Sequence, residues 1–146
     1  MSVQLPDTIF ALDFGLRRIG IATGSGVTGT SGALTTLVSK GGEPDWVGLD
    51  ALIDEWKPQL LVVGLPYNMD GSESEMSGKA RSFALTLEQR YHLPVELVDE
   101  RLTSSEAGKI LKEQRRSGLR KKKVKKTEID SLAACLIAES WLQAQN

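Results

Sequence analysis

The 146-residue sequence has one cysteine, one histidine and no apolar run that approaches a membrane span in length. Each shortage closes off a class of chemistry. A lone Cys135 cannot form an internal disulfide, which suits a reducing cytoplasm. It lies in the apolar stretch Ala133-Ala-Cys-Leu-Ile137, where a packed thiol is expected rather than a nucleophile. With no cluster of His and Cys, nothing points to zinc. His92 follows a helical stretch and reads as a surface or terminal residue rather than a general base. The N-terminus, Met-Ser-Val-Gln-Leu-Pro-Asp, lacks a basic region followed by an apolar core, so neither a signal peptide nor a membrane segment is expected. The expectation is one cytoplasmic domain over residues 1–146, long enough to bury a proper core.

What is present is distributed unevenly. Net charge is −1, yet residues 1–100 carry 7 Lys/Arg against 14 Asp/Glu, and residues 101–146 carry 11 against 5. A basic segment on an acidic body points to a polyanionic partner. Hydrophobic periodicity orders the chain. Ile9–Thr23 is apolar on both sides of a Gly-flanked turn and reads as two antiparallel strands. The small-residue stretch Gly24–Gly32 reads as a hairpin connection, Ala33–Val38 as a third strand and Lys40–Pro44 as a turn. Trp46, Leu49, Leu52, Ile53 and Trp56 recur at helical spacing, predicting a helix over 45–56 stopped by Pro58. Gln59–Gly64 is continuously apolar, as in a strand buried on both faces. Ser72 with Glu75 reads as a capping box before a helix whose face is Met76, Ala80, Phe83, Ala84, Leu87 and Tyr91. Pro94–Val98 reads as a fifth strand, and Thr103 with Glu106 opens another helix. Thr127 reads as the cap of the last helix, whose apolar face includes Ile129, Leu132, Ala133, Leu136, Ile137 and Trp141. The order predicts an α/β fold with a five-stranded mixed sheet, three antiparallel strands and then two parallel ones, flanked by helices.

Acids occupy unusual places in this scheme. Asp13 stands inside the first apolar strand, where an ionised carboxylate needs a cation or hydrogen-bond donors to offset lost hydration. Asp99 and Glu100 fall where the fifth strand ends, the side on which sheets with parallel strands carry their sites. Asp130 lies in the first turn of the last helix, in line with Ala134, Ile137 and Trp141, and so should point at the sheet. Each has an ordinary explanation: a turn acceptor for Asp13, a cap or a pair with Arg101 for Asp99 or Glu100, the helix dipole for Asp130. Taken together they are oxygen-only donors on separate elements, which suits Mg²⁺ or Mn²⁺ and phosphodiester chemistry. An acid two strands from Asp13 starts roughly 10 Å away. The side-chain-poor end at Gly64 leaves room for the longer Glu100 to reach inwards, with Asp99 the competitor.

The run Arg115–Lys126 has 8 Lys/Arg among 12 residues. Such runs are ordinarily solvated loops. This one directly precedes the helix bearing Asp130, and Lys and Arg without aromatics bind phosphate rather than read bases. Candidate nucleic-acid contacts are therefore Arg17, Arg18, Arg101, Arg115, Arg116, Arg120, Lys121, Lys122, Lys123, Lys125 and Lys126.

Four pieces of the chain resemble the YqgF family, also called RuvX, of RNase H-like proteins. They are Leu12-Asp-Phe-Gly15 with Arg18-Ile-Gly20, Gly64-Leu-Pro-Tyr-Asn-Met-Asp-Gly71, Asp99-Glu-Arg-Leu-Thr103 with Glu106-Ala107, and Lys126 through Asp130 followed by Ser-Leu-Ala-Ala. The resemblance implies an RNase H-like fold and a nuclease of the Holliday-junction-resolvase or pre-16S-rRNA-processing kind. It implies Asp13, Glu100 and Asp130 as catalytic, metal-binding carboxylates, with Mg²⁺ or Mn²⁺ as cofactor. Structured RNA or branched DNA is the expected partner, with the chain a monomer or homodimer. Two other readings stand beside it. Asp13-x-Gly15 before a hairpin also occurs in ATPases of the actin and sugar-kinase type, which need two such domains. A ribosome-assembly or nucleic-acid-binding factor with vestigial carboxylates is the non-enzyme alternative.

Overall fold

The computed structural model describes residues 5–68, 70–100 and 126–145. The helix read at Thr103 and Glu106, Arg101 and the basic run as far as Lys125 lie outside the described residues, as do the side chains of residues 126–129, Thr127 and Ile129 included. Six strands form one mixed sheet: β1 (Ile9–Asp13), β2 (Arg18–Ser25), β3 (Thr30–Lys40), β4 (Glu43–Pro44), β5 (Leu60–Leu65) and β6 (Val95–Asp99). Their order is β4-β3-β2-β1-β5-β6. β1, β2, β3 and β4 pair antiparallel in succession, whereas β5 runs parallel to both β1 and β6. Helices α1 (Trp46–Trp56), α2 (Glu75–Tyr91) and α3 (Lys126–Ala144) complete the described elements.

The strand count corrects the five expected. Gly41 and Gly42 both take positive φ, +60° and +89°, the twist that suits a two-residue hairpin loop. The chain therefore folds straight back, and Pro44 and Glu43 pair with Ser39 and Lys40. The stretch Lys40–Pro44, read as a plain turn, thus contributes a sixth, two-residue strand. β3 is also longer than Ala33–Val38, because Thr30, Ser31 and Gly32 still pair with β2. The connection between the two strands shrinks to residues 26–29.

Side-chain parity divides the core. Phe10, Leu12, Ile19, Ile21, Leu61 and Val63 point to one face, where Leu49 of α1 and Phe83, Ala84 and Leu87 of α2 cover them. Ile9, Ala11, Leu60 and Val62 point to the other, under Ile137, Ala138, Trp141 and Leu142 of α3. Each such fully buried aliphatic or aromatic side chain is worth about 1.5–3 kcal/mol relative to exposure. β1 and β5 are buried on both faces, which is why their sequences are continuously apolar.

The helix ends follow local chemistry. Asp45 caps α1 by accepting from the Gly48 N–H at 3.0 Å, and Lys57, in the left-handed region, ends the helix before Pro58. The cap of α2 is Ser74 rather than Ser72. Ser74 Oγ accepts from the Ser77 N–H, and Ser77 Oγ accepts from the Ser74 N–H while also contacting the Pro66 carbonyl. Ser72 is held in the preceding loop, donating to Asp70 through both its N–H and its hydroxyl. His92 is the left-handed cap residue that ends α2, an exposed terminal position as expected. Between the two helices Arg90 forks onto Asp50 at 2.9 and 2.6 Å, and the Tyr91 hydroxyl donates to the same carboxylate at 2.6 Å. These donors hold the Asp50 carboxyl down at about 2.

Candidate active site

Parity places the acids before any contact is considered. Asp13 follows Ile9 and Ala11 on the α3 face of β1. Val98 packs into the cluster under α3, so Glu100 belongs to that same face. Val95 packs against the opposite core, so Asp99 belongs to the other. The strand period therefore separates the two adjacent acids. Glu100 continues the ladder past the end of β6, its N–H donating to the Leu65 carbonyl at 3.0 Å.

Two glycines let the acids approach. Gly20 on β2 lies directly opposite Asp13. A Cβ on Gly20 would collide with the backbone oxygen of Asp130, so the N-terminal part of α3 rests on bare strand backbone there. On the other side of β1, a Cβ on Gly64 would meet Glu100 Oε1 and Ile137 Cδ1, each at 2.5 Å, and Glu100 Cγ at 2.8 Å. Glu100 thus occupies the volume that any larger residue at position 64 would take. The need for a small residue at Gly64 was legible in the sequence; that for Gly20 was missed, although a glycine opposite a strand carboxylate is a usable signal.

The result is a cluster. The Asp13 and Glu100 side chains lie within hydrogen-bonding reach of each other. The Asp13 carboxyl is held well above the usual carboxylate range, first by burial, then by the bond to Glu100, and then by the charges of Glu100 and Asp130. Asp130 lies past the first turn of the helix rather than in it, because residues 126–129 before it are already helical. It receives Arg18 Nε on Oδ2 at 2.7 Å, both side chains being about one-third to one-quarter exposed, 31% and 25%. Arg18 is thereby committed to an acid of the cluster, and Arg17 beside it is exposed. The turn that carries them is braced from β3 and from the hairpin loop after it: the Ser39 N–H donates to the Arg17 carbonyl at 2.8 Å and the Gly42 N–H to the Leu16 carbonyl at 3.1 Å.

The three acids converge in chemistry rather than as a finished cage. Among the described residues, no three His, Cys, Asp or Glu side chains are set to enclose an ion as they stand. One Asp130 oxygen faces Arg18, and the Asp13 carboxyl, buried beside Glu100, is held well above the usual carboxylate range. Oxygen-only donors, two of them already in contact inside a glycine-lined recess, match a hard divalent cation that would take the proton's place. The remaining features lie apart from this cluster. Cys135 is half-buried, with Ser31 Oγ 3.2 Å from its Sγ. A cavity of about 680 Å³, bordered by Phe14, Trp46, Phe83 and Arg90, opens on the α1–α2 side, and none of Asp13, Glu100 and Asp130 lines it. No helix among the described residues is long and apolar enough to cross a membrane.

Comparison with known proteins agrees with this architecture. A family model described as "RuvX: Holliday junction resolvase" matches residues 7–144. A protein of Actinobacillus pleuropneumoniae serotype 5b is 48% identical over 138 residues, covering 94% of this chain and 98% of its own. One of Haemophilus ducreyi is 49% identical over 134 residues, covering 92% and 94%. Both carry the name "Putative pre-16S rRNA nuclease". Among solved structures, Thermus thermophilus RuvC in complex with a Holliday junction substrate superposes with a TM-score of 0.56 at 17% identity, covering 94% of this chain and 96% of that one. The yeast mitochondrial Holliday junction resolvase Ydc2 gives 0.54 at 14% identity, with 94% and 78% covered. At those identities the likeness is one of fold, and the fold is the RNase H-like one of these resolvases. With nearly the whole chain matched by the family model and by relatives close to half identical, the chain belongs to the RuvX family.

Proposed function

We propose that this chain is a divalent-cation-dependent endonuclease acting on structured nucleic acid, with the 5′ end of precursor 16S rRNA as its substrate. The observation that carries the reading is the meeting of Asp13 and Glu100 over Gly64, with Asp130 close enough for its charge to act on Asp13. Three acids drawn from distant points of the chain are a costly arrangement for a fold unless their charge is used. The names carried by relatives at nearly 50% identity favour precursor rRNA. The family description, and the fold shared with junction resolvases, favour a four-way DNA junction as the second reading.

Asp13, Glu100 and Asp130 are the residues that would hold Mg²⁺ or Mn²⁺. Such an ion supplies an activated water and neutralises charge on the attacked phosphate. The protein's own part is to hold Asp13 and Glu100 in contact, so that the proton favoured at Asp13 can be given up to the cation, and to present Asp130 from α3 at the same recess. Water attacks the phosphorus, the bond to the 3′ oxygen breaks, and the products carry 5′-phosphate and 3′-hydroxyl ends. Arg17 and the basic run 115–126 are assigned to the phosphate backbone, where they add affinity that falls with salt.

The test is cleavage by the purified full chain of a labelled precursor spanning the 16S 5′ end and of a synthetic four-way junction, with Mg²⁺, Mn²⁺ or chelator. Expected is a metal-dependent cut in the precursor that leaves a 5′-phosphate. Asp13→Asn should lower its rate by at least about 100-fold while RNA binding persists. Cutting of the junction alone would transfer the activity to DNA. Full cellular function of Asp13→Asn with intact RNA binding would mean that the acids are vestigial.

A further inference from the structure

Resting on that reading of the acids, we infer that Arg18 belongs to the reacting site. Asp130 holds its guanidinium in place as a fixed positive charge for the substrate phosphate, so that the substrate-free site holds one divalent cation tightly. Arg18 sits on β2, two residues before Gly20, on the face that α3 covers, and it reaches Asp130 Oδ2 through Nε at 2.7 Å. That bond uses one of the five N–H donors of a planar group. The two terminal amino groups carry the other four, in the fork geometry that suits phosphate oxygens, and the side chain is 31% exposed.

Charge counting leads the same way. Three ionised carboxylates beside one guanidinium leave two negative charges, the complement of a single divalent ion. Without substrate, a second ion would meet a neutral site and a repelling neighbour. A purely structural role accounts for less. The contact of α3 with bare backbone at Gly20 already seats the helix on β2, and a partly exposed ion pair adds little to stability.

The experiment is Mn²⁺ binding to the full chain, followed by calorimetry and by the electron paramagnetic resonance of free Mn²⁺, for wild type, Arg18→Gln, Arg18→Lys and Asp13→Asn. Single-turnover cleavage of the precursor is measured alongside. Wild type should bind one Mn²⁺ per chain. Arg18→Gln should bind the first ion about tenfold more tightly and acquire a second, because loss of a nearby positive charge outweighs the added freedom of Asp130. Its cleavage step should slow by about 100-fold with substrate affinity changed less than threefold. Arg18→Lys, which keeps the charge but not the fork, should keep one ion and slow about tenfold. An Arg18→Gln protein with unchanged Mn²⁺ affinity and stoichiometry overturns the inference and leaves Arg18 a staple. If Arg18→Gln does not fold, an unslowed Arg18→Lys overturns it instead. Failure of the underlying reading looks different: wild type binds no Mn²⁺, or Asp13→Asn binds it as well as wild type does, and the inference falls with it.

Discussion

At Asp13 the fold opposes the ionised state. Burial, the bond to Glu100 and two neighbouring negative charges all raise the affinity of this carboxyl for its proton. The sign follows from linkage. A carboxyl whose folded-state value lies above its unfolded one makes folding take up a proton, so stability is lost as pH rises from about 4 towards neutrality. Asp13→Asn removes that penalty. The cation-free variant should melt roughly 3 °C or more above wild type at pH 7–8, with the gap narrowing towards pH 4. Differential scanning calorimetry across that range checks it, and a variant that melts lower at pH 7–8 would contradict the account. Asp50 has the opposite sign. Its carboxyl sits at about 2 because Arg90 and Tyr91 donate to it, so its contribution is present above about pH 4 and fades as pH falls towards 2. Asp50→Asn should therefore lower the melting temperature at pH 7 and lose that difference near pH 2, with cleavage unchanged, since the clamp joins α1 to α2 on the other face of the sheet.

At the scale of the elements, the site depends on where strands lack side chains. Gly64→Ala puts a methyl where Glu100 and Ile137 already stand and should cost about 1–3 kcal/mol. Glu100 would be displaced from Asp13, and cleavage should fall with it. Gly20→Ala is the harsher change, because its methyl meets the backbone of Asp130 rather than the end of a movable side chain. Chemical denaturation should rank Gly20→Ala below Gly64→Ala. A Gly20→Ala variant as stable as wild type would mean that α3 does not rest on β2 as described. The elements themselves were largely legible, because β1, β5, α1 and α2 carry strong periodicity or continuous apolar runs. β4 was not, since the hairpin signal in Gly41-Gly42 needs both positive φ angles to become a strand pairing. The α2 cap was misplaced by two residues, because Ser72 and Ser74 offer the same chemistry and only the loop's own hydrogen bonds separate them.

At the scale of the molecule, the chain gathers acids from its first strand, its last described strand end and its final helix onto one face of a mixed sheet. Alternation along β6 puts Glu100, and not Asp99, on the face that carries Asp13, a distinction that sequence reasoning left open until the core on each face was known. The pairing of Arg18 with Asp130, 112 residues apart, was beyond the reach of local pattern. Arg18 read simply as one of several phosphate-binding cations. The central claim is that Asp13, Glu100 and Asp130 act as one cation site. It is tested most directly by Mn²⁺ titration of the full chain and of Asp13→Asn, Glu100→Gln, Asp99→Asn and Asp130→Asn under one set of conditions. The account predicts that each substitution in the trio weakens Mn²⁺ binding by about tenfold or more while Asp99→Asn leaves it unchanged. Loss of affinity on replacing Asp99, or full affinity after replacing any one of the trio, would contradict it.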